Sequence, residues 1–257
     1  MNVDLWTFLI ACPFVFLAGF VDAIAGGGGL ISLPGYLIAG LSPIAASATN
    51  KLSAGMGSTV ANANYFKNDL INLRLAAPCI FIAMLFSSFG ARVQMMIPEQ
   101  YLKIFMLIAL PITMILVLNK ETLKSKNIFK IKLTKKVYVL SFLVSALIGL
   151  YDGLYGPATG TFLLIFFVKI VGMNIKEANG ISKAINFATN MGALILFLLS
   201  GKVLIALGLV AGVCNMLGNH LGSKLFLKKG VDIVRPIMIS VMTIFVIKIV
   251  LELLNII

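Results

Sequence analysis

Four charged side chains stand in stretches that are otherwise apolar: Asp22, Lys51, Asp152 and Lys183. They come in two like pairs, the aspartates 130 residues apart and the lysines 132. A lysine ammonium inside a hydrophobic segment has to meet a countercharge or a watery cavity. Beside the lysines stand Thr49 and Asn50 in one place, and Ser182 and Asn186 in the other. Such hydroxyl and amide groups can complete the coordination of an oxyanion. The pattern therefore predicts lysines that bind an anion, with Asp22 and Asp152 balancing or releasing their charge. The plainer alternative is a pair of salt bridges that only hold the fold together.

Each aspartate is followed four residues later by glycine. After Asp22 come Gly26, Gly27, Gly28 and Gly29; after Asp152 come Gly156, Thr159 and Gly160. An interior glycine costs a helix about 1 kcal/mol relative to alanine, so the helix is expected to break at both places. Broken helices within a bilayer are tolerated where they are buried in protein or line a cavity. The bare N–H groups at the start of the short helix that follows form a ready anion site. Gly26 to Gly29, and Gly156 with Thr159 and Gly160, are the expected contributors.

These elements belong to a tandem duplication. Asp22 matches Asp152, and Gly26 matches Gly156; a one-residue insertion sets Gly29 against Gly160; farther on, Lys51 matches Lys183, Gly90 matches Gly222 and Arg92 matches Lys224. The composition sets the class. Sixty per cent of residues are hydrophobic, 12% are charged, and mean hydropathy is +1.04. A soluble domain of this length cannot cover that much apolar surface, so an all-α polytopic membrane protein is expected. Ten hydrophobic segments are read, five per half: Leu5–Ala25, Leu30–Leu41, Ile44–Phe66, Leu75–Ile97 and Leu102–Leu118, then Val137–Tyr151, Thr161–Val171, Lys176–Leu199, Leu204–Leu227 and Pro236–Leu254. The second of each set is too short to span and is expected to be a half-helix, re-entrant or stacked on its neighbour.

The net charge of +12 does not point to nucleic acid, because seven of the 21 basic residues are lysines of one connector, Lys120 to Lys136. Such a loop between hydrophobic segments is expected in the cytoplasm. The predicted organisation is a first repeat, 1–118, a cytoplasmic connector, 119–136, and a second repeat, 137–257. An odd number of crossings per repeat makes the repeats inverted and sends both termini to the periplasm; a count of eight segments remains an alternative. Arg92 and Lys224 are expected to snorkel, and Lys103 and Arg235 to anchor at the interface. Trp6 and Tyr101 read as interfacial belt residues. His220 reads as packing, since Ser88 stands at its counterpart position.

Cys12, Cys79 and Cys214 form no CxxC, and no metal site, cofactor or catalytic constellation is expected. There is no HExxH motif and no Walker motif, so neither a zinc enzyme nor an ATP-driven pump is indicated. The expected partners are a small anion, membrane lipid, a proton as coupling ion and a second copy in a homodimer.

The motifs GFVDAIAGGGGLISLP from Gly19, ATNKL from Ala48, GLYDGLYGPATG from Gly149 and ISKAIN from Ile181, with GARV and GSKL, resemble the TauE/SafE sulfite exporter family of bacterial inner-membrane permeases, in its YfcA-like branch. That resemblance covers about Leu17 to Val250. It implies transport of small sulfur-containing anions such as sulfite or sulfonates, generally outward. A carrier with alternating access is the leading reading, an anion channel of the same architecture the next, and an intramembrane enzyme the last. Where the first half has ATNK the second has GISK, so the two anion-facing ends need not be equivalent.

Overall fold

A computed structural model of the chain describes residues 4–102, 104–106, 108–109 and 131–229. Most of the expected fifth segment, the connector up to residue 130, Lys103, Arg235 and the last segment, Pro236–Leu254, lie outside the described residues. All regular structure among the described residues is helical. The chain is an all-α polytopic membrane protein.

The first half contributes α1 (Leu5–Ala25), α2 (Gly29–Ile38), α3 (Pro43–Lys67) and α4 (Leu73–Met96). Residues 99–109 are helical where they are described. The second half contributes α5 (Lys135–Leu154), α6 (Thr159–Phe166), α7 (Ile175–Leu199) and α8 (Ile205–Lys229). Five of these, α1, α4, α5, α7 and α8, are long and apolar enough to cross a membrane, while α2 and α6 are too short. Helix α3 has the length, at 25 residues, but carries a polar face.

Local signals set the helix starts. Asp4 accepts from Thr7 N, Thr134 from Val137 N and Asn174 from Glu177 N, so α1, α5 and α7 each begin on a side-chain cap. The bonds from Thr7 hold the Asp4 carboxyl below the usual carboxylate range. Two boundaries differ from expectation. Helix α5 runs to Leu154, past Gly153, because that glycine is packed: a Cβ there would overlap the carbonyl of Ser87 on α4. The short segment after the second break turns from α-helix into a π-helical stretch, Phe167–Val171.

The helices present large apolar residues outward and small or polar ones inward. On α8, Leu209, Val213, Leu217 and Leu221 are exposed, while Asn215, Asn219 and Ser223 are buried. On α4, Phe81, Leu85 and Phe89 face out and Ala83, Ser87 and Ala91 face in. Lipid tails solvate the outer face, and small residues let backbones approach closely inside.

The packing exchanges the halves. Helix α1 lies along α8, with Asn215 Nδ2 donating to Val15 O at 3.1 Å and Gly218 pressed against the Phe16 carbonyl. Helix α5 lies along α4, with Gly149 against Ala83 and Gly153 against Ser87. Residue numbers rise together in both contacts, so each pair is parallel. Helix α3 runs parallel to α8, Gly57 against Asn215 and Asn64 bonded to Ser223. It runs antiparallel to α7, with Asn62 at Lys183 and Gly55 at Met191. Helix α2 doubles back along α1, its Gly28 against Asp22 and its Gly35 against Phe14.

These directions define two ends. Lys67, Arg74, Lys135, Lys136, Lys169, Lys176 and Lys224 gather at the end where α4, α5 and α7 begin. Arg92 and Lys202 lie toward the other end, with Asp4 and Glu99. Arg92 and Lys224 are both exposed, as are Trp6 and Tyr101.

Candidate functional site

The two helix breaks touch. Helix α1 ends where Gly26 turns left-handed, φ 81°, and its N–H returns to Asp22 O at 2.8 Å. Helix α5 ends on Tyr155, whose N–H returns to Tyr151 O at 2.8 Å, and the left-handed residues follow it, Gly156 at φ 90° and Ala158 at φ 60°. A Cβ on Gly26 would overlap the backbone of Gly160, and Thr161 N donates to Gly26 O at 3.2 Å. The run of glycines is thus needed for left-handed backbone and for contact between two main chains.

The four charges pair crosswise. Lys51 Nζ lies 2.6 Å from Asp152 Oδ2 and 2.9 Å from the Asp152 carbonyl. Thr159 Oγ1 donates to Asp152 Oδ1 at 2.6 Å. Lys183 Nζ lies 3.0 Å from Asp22 Oδ2, yet off the hydrogen-bonding direction, so it is an ion pair by distance without an aligned bond. Lys183 is wholly buried, and the Asp22 side chain is 12% exposed.

Beside the breaks is a small polar cavity, with room for little more than a water molecule as it stands. Asp22, Gly26, Gly28, Gly29, Asn50, Asp152, Gly156, Thr159, Gly160 and Asn186 line it. Gly27, Thr49, Lys51, Ser182 and Lys183 do not. Thr49 Oγ1 instead accepts from Leu204 N at 3.2 Å, at the start of α8. The lysines stand behind the carboxylates rather than on the wall. The N–H groups of Leu30, Ile31 and Ser32 bond to the carbonyls of Gly27 and Gly28, so they are not available to a ligand. Asn50 Oδ1 is buried without a partner. Half a turn of that amide presents its NH2 instead.

The cavity extends from the breaks toward the end where α1 begins, along Ala18, Ser32, Asn190 and Asn215, and Ala54 also lines it. On the other side Ile24, Tyr65, Tyr155, Ala158 and Phe226 pack as an apolar cluster. Tyr65 Oη donates to Ala23 O there, and Asn179 Nδ2 donates to Ile24 O at 3.3 Å. These bonds pin the end of α1 to α3 and α7.

A family model for the sulfite exporter TauE/SafE matches residues 11–249. The chain belongs to the TauE/SafE family. It is 36% identical over 243 residues to a probable membrane transporter protein, ORF9, of a Sinorhizobium species, covering 93% of this chain and 91% of that protein. It is 36% identical over 227 residues to the probable membrane transporter protein YfcA of Escherichia coli K12, covering 88% and 82%. A probable membrane transporter protein of Haemophilus influenzae is 32% identical over 244 residues, covering 93% and 92%. No solved structure matches. The chain is therefore a membrane transporter of the TauE/SafE family.

Sequence reasoning on this TauE/SafE chain missed Ser32 and Asn215 on the cavity wall. Asn215 has no polar counterpart in the first half, where Ala83 stands. Asn190 stands on α7 one turn beyond Asn186 and donates to its carbonyl at 2.8 Å. The three cysteines are free; Cys79 is buried, and Cys12 and Cys214 are half-buried neighbours on α1 and α8.

Proposed function

We propose that the chain is a secondary carrier for a small sulfur-containing oxyanion, such as sulfite or an organosulfonate, working by alternating access. The observation that carries this is the joined pair of helix breaks beside two crossed lysine–aspartate pairs, at the wall of a polar cavity. In carriers built this way, discontinuous helices place backbone dipoles around the substrate, and one half rocks against the other. The sulfur chemistry comes from the family description alone.

The antiparallel crossing of α3 and α7, and the exchange of α1–α8 with α5–α4, support reading the halves as inverted repeats, 1–118 and 137–257. The basic end is the cytoplasmic one by the positive-inside rule, in the inner membrane of a bacterium, with both termini in the periplasm. On that assignment the cavity lies on the periplasmic side and the Tyr65 cluster closes the cytoplasmic side.

A channel of the same architecture is the competing reading. Flux of sulfite, methanesulfonate and thiosulfate into proteoliposomes tests it. A carrier shows saturation and acceleration by substrate on the opposite side. Thousands of ions per second without that acceleration would establish the channel instead.

A further inference from the structure

The two ion pairs differ in how firmly each carboxylate is held. Asp152 is locked on both oxygens, by Lys51 at 2.6 Å and by Thr159 at 2.6 Å, and its side chain is 2% exposed. Asp22 has only the misaligned contact with Lys183, stands on the cavity wall and is the more open of the two. Behind it the Lys183 ammonium is buried without an aligned acceptor. The set of two carboxylates and two ammoniums is neutral as it stands. An oxyanion entering the cavity would bring a negative charge that nothing compensates, and an uncompensated buried charge is costly.

We propose that Asp22 is the proton carrier of this site: oxyanion binding is coupled to protonation of Asp22, which frees Lys183 for the anion. This rests on the oxyanion reading above. A proton from the bulk solution, given up by a buffer acid or hydronium ion outside the site, forms an O–H bond on the Asp22 carboxylate, the Asp22–Lys183 ion contact breaks, and the Lys183 N–H turns to an oxygen of the anion. On release the proton leaves with the anion and the contact reforms. One monovalent anion then moves with one proton and the loaded site stays neutral. The Lys51–Asp152 pair takes no part and braces the breaks. The other groups facing Asp22 are few. From α3 comes Tyr65, whose hydroxyl is given to Ala23 O, and across the cavity from α5 comes Asp152, held by Lys51. From α2 and α8 come Ser32 and Asn215, which do not titrate.

Linked uptake of one proton makes anion binding about tenfold tighter for each unit fall in pH. The test uses the full chain purified in detergent and methanesulfonate, whose own charge does not titrate. Calorimetry in two buffers of different ionisation heat should show about one proton taken up per methanesulfonate bound. An infrared difference spectrum should gain a protonated-carboxyl band. In Asp22→Asn both signals should vanish and binding should lose its pH dependence. Binding to the unsubstituted chain without proton uptake overturns the proposal and leaves the oxyanion reading standing. Uptake that persists in Asp22→Asn but is lost in Asp152→Asn also overturns it. If methanesulfonate, sulfite and thiosulfate all fail to bind the unsubstituted chain, the oxyanion reading falls and the coupling proposal falls with it.

Discussion

Lys51 Nζ lies 2.6 Å from Asp152 Oδ2, so the lysine of the first half is neutralised by the aspartate of the second. The reciprocal pair, Lys183 with Asp22, crosses in the other direction at 3.0 Å. Each break is thus held by the polar helix of the opposite half. Motion of one half relative to the other has to pass through these contacts or carry them along.

The locked pair should behave as a brace. Lys51→Gln leaves the Asp152 carboxylate buried with only the Thr159 hydroxyl, and a broken buried pair typically costs about 3–5 kcal/mol in soluble proteins. Denaturant or thermal unfolding in detergent should show a loss of that order. Lys51→Gln combined with Asp152→Asn should recover part of it, because no lone charge remains. Additive losses in the double variant would contradict the pairing.

The glycine break should be intolerant where two backbones meet and tolerant elsewhere. Gly26→Ala puts a Cβ into the backbone of Gly160, where no side chain can move aside, and forces φ 81° on alanine. Gly40→Ala also has left-handed backbone, φ 88°, but opens onto free space. The second should cost about 1–2 kcal/mol and still yield a monodisperse protein. The first should yield no folded material on size-exclusion chromatography.

How far the sequence could be read depended on symmetry. Asp22, Gly26, Asp152 and Gly156 were legible because each occurs twice at nearly one spacing in an apolar background, and helix α1 ends at Ala25 as expected. The crossed pairing was not legible, since two equivalent aspartates and two equivalent lysines admit either assignment. Asn215 was not legible because the symmetry does not mark it: its counterpart position is Ala83. The placement of the lysines behind the carboxylates was also hidden. It depends on how far Lys51 reaches from α3, which no spacing reveals.

Membrane sidedness can be read chemically. With the native cysteines replaced, a single cysteine at Lys202 should react with a membrane-impermeant maleimide in intact cells. One at Asn68, in the turn between α3 and α4, should react only after the cytoplasmic side is opened. The reverse pattern would invert the orientation drawn from the basic end.

The amide wall should matter for binding more than for folding. Asn186→Ala removes a cavity-lining side chain while leaving its backbone carbonyl to accept from Asn190. Stability should change by no more than about 1 kcal/mol, and oxyanion affinity should fall about tenfold, equal to about 1.4 kcal/mol. The comparison is unfolding without ligand beside the ligand-induced melting shift.

Because α1 lies along α8, and Asp22 finds its countercharge at Lys183, the first helix made is among the last to be completed. Its partner lysine leaves the ribosome about 160 residues later, roughly ten to thirty seconds at about 5–20 residues per second. During that interval an aspartate rests in a nascent membrane segment with no ion-pair partner. Chains cut short before α7 would keep that carboxylate in an apolar segment without its countercharge.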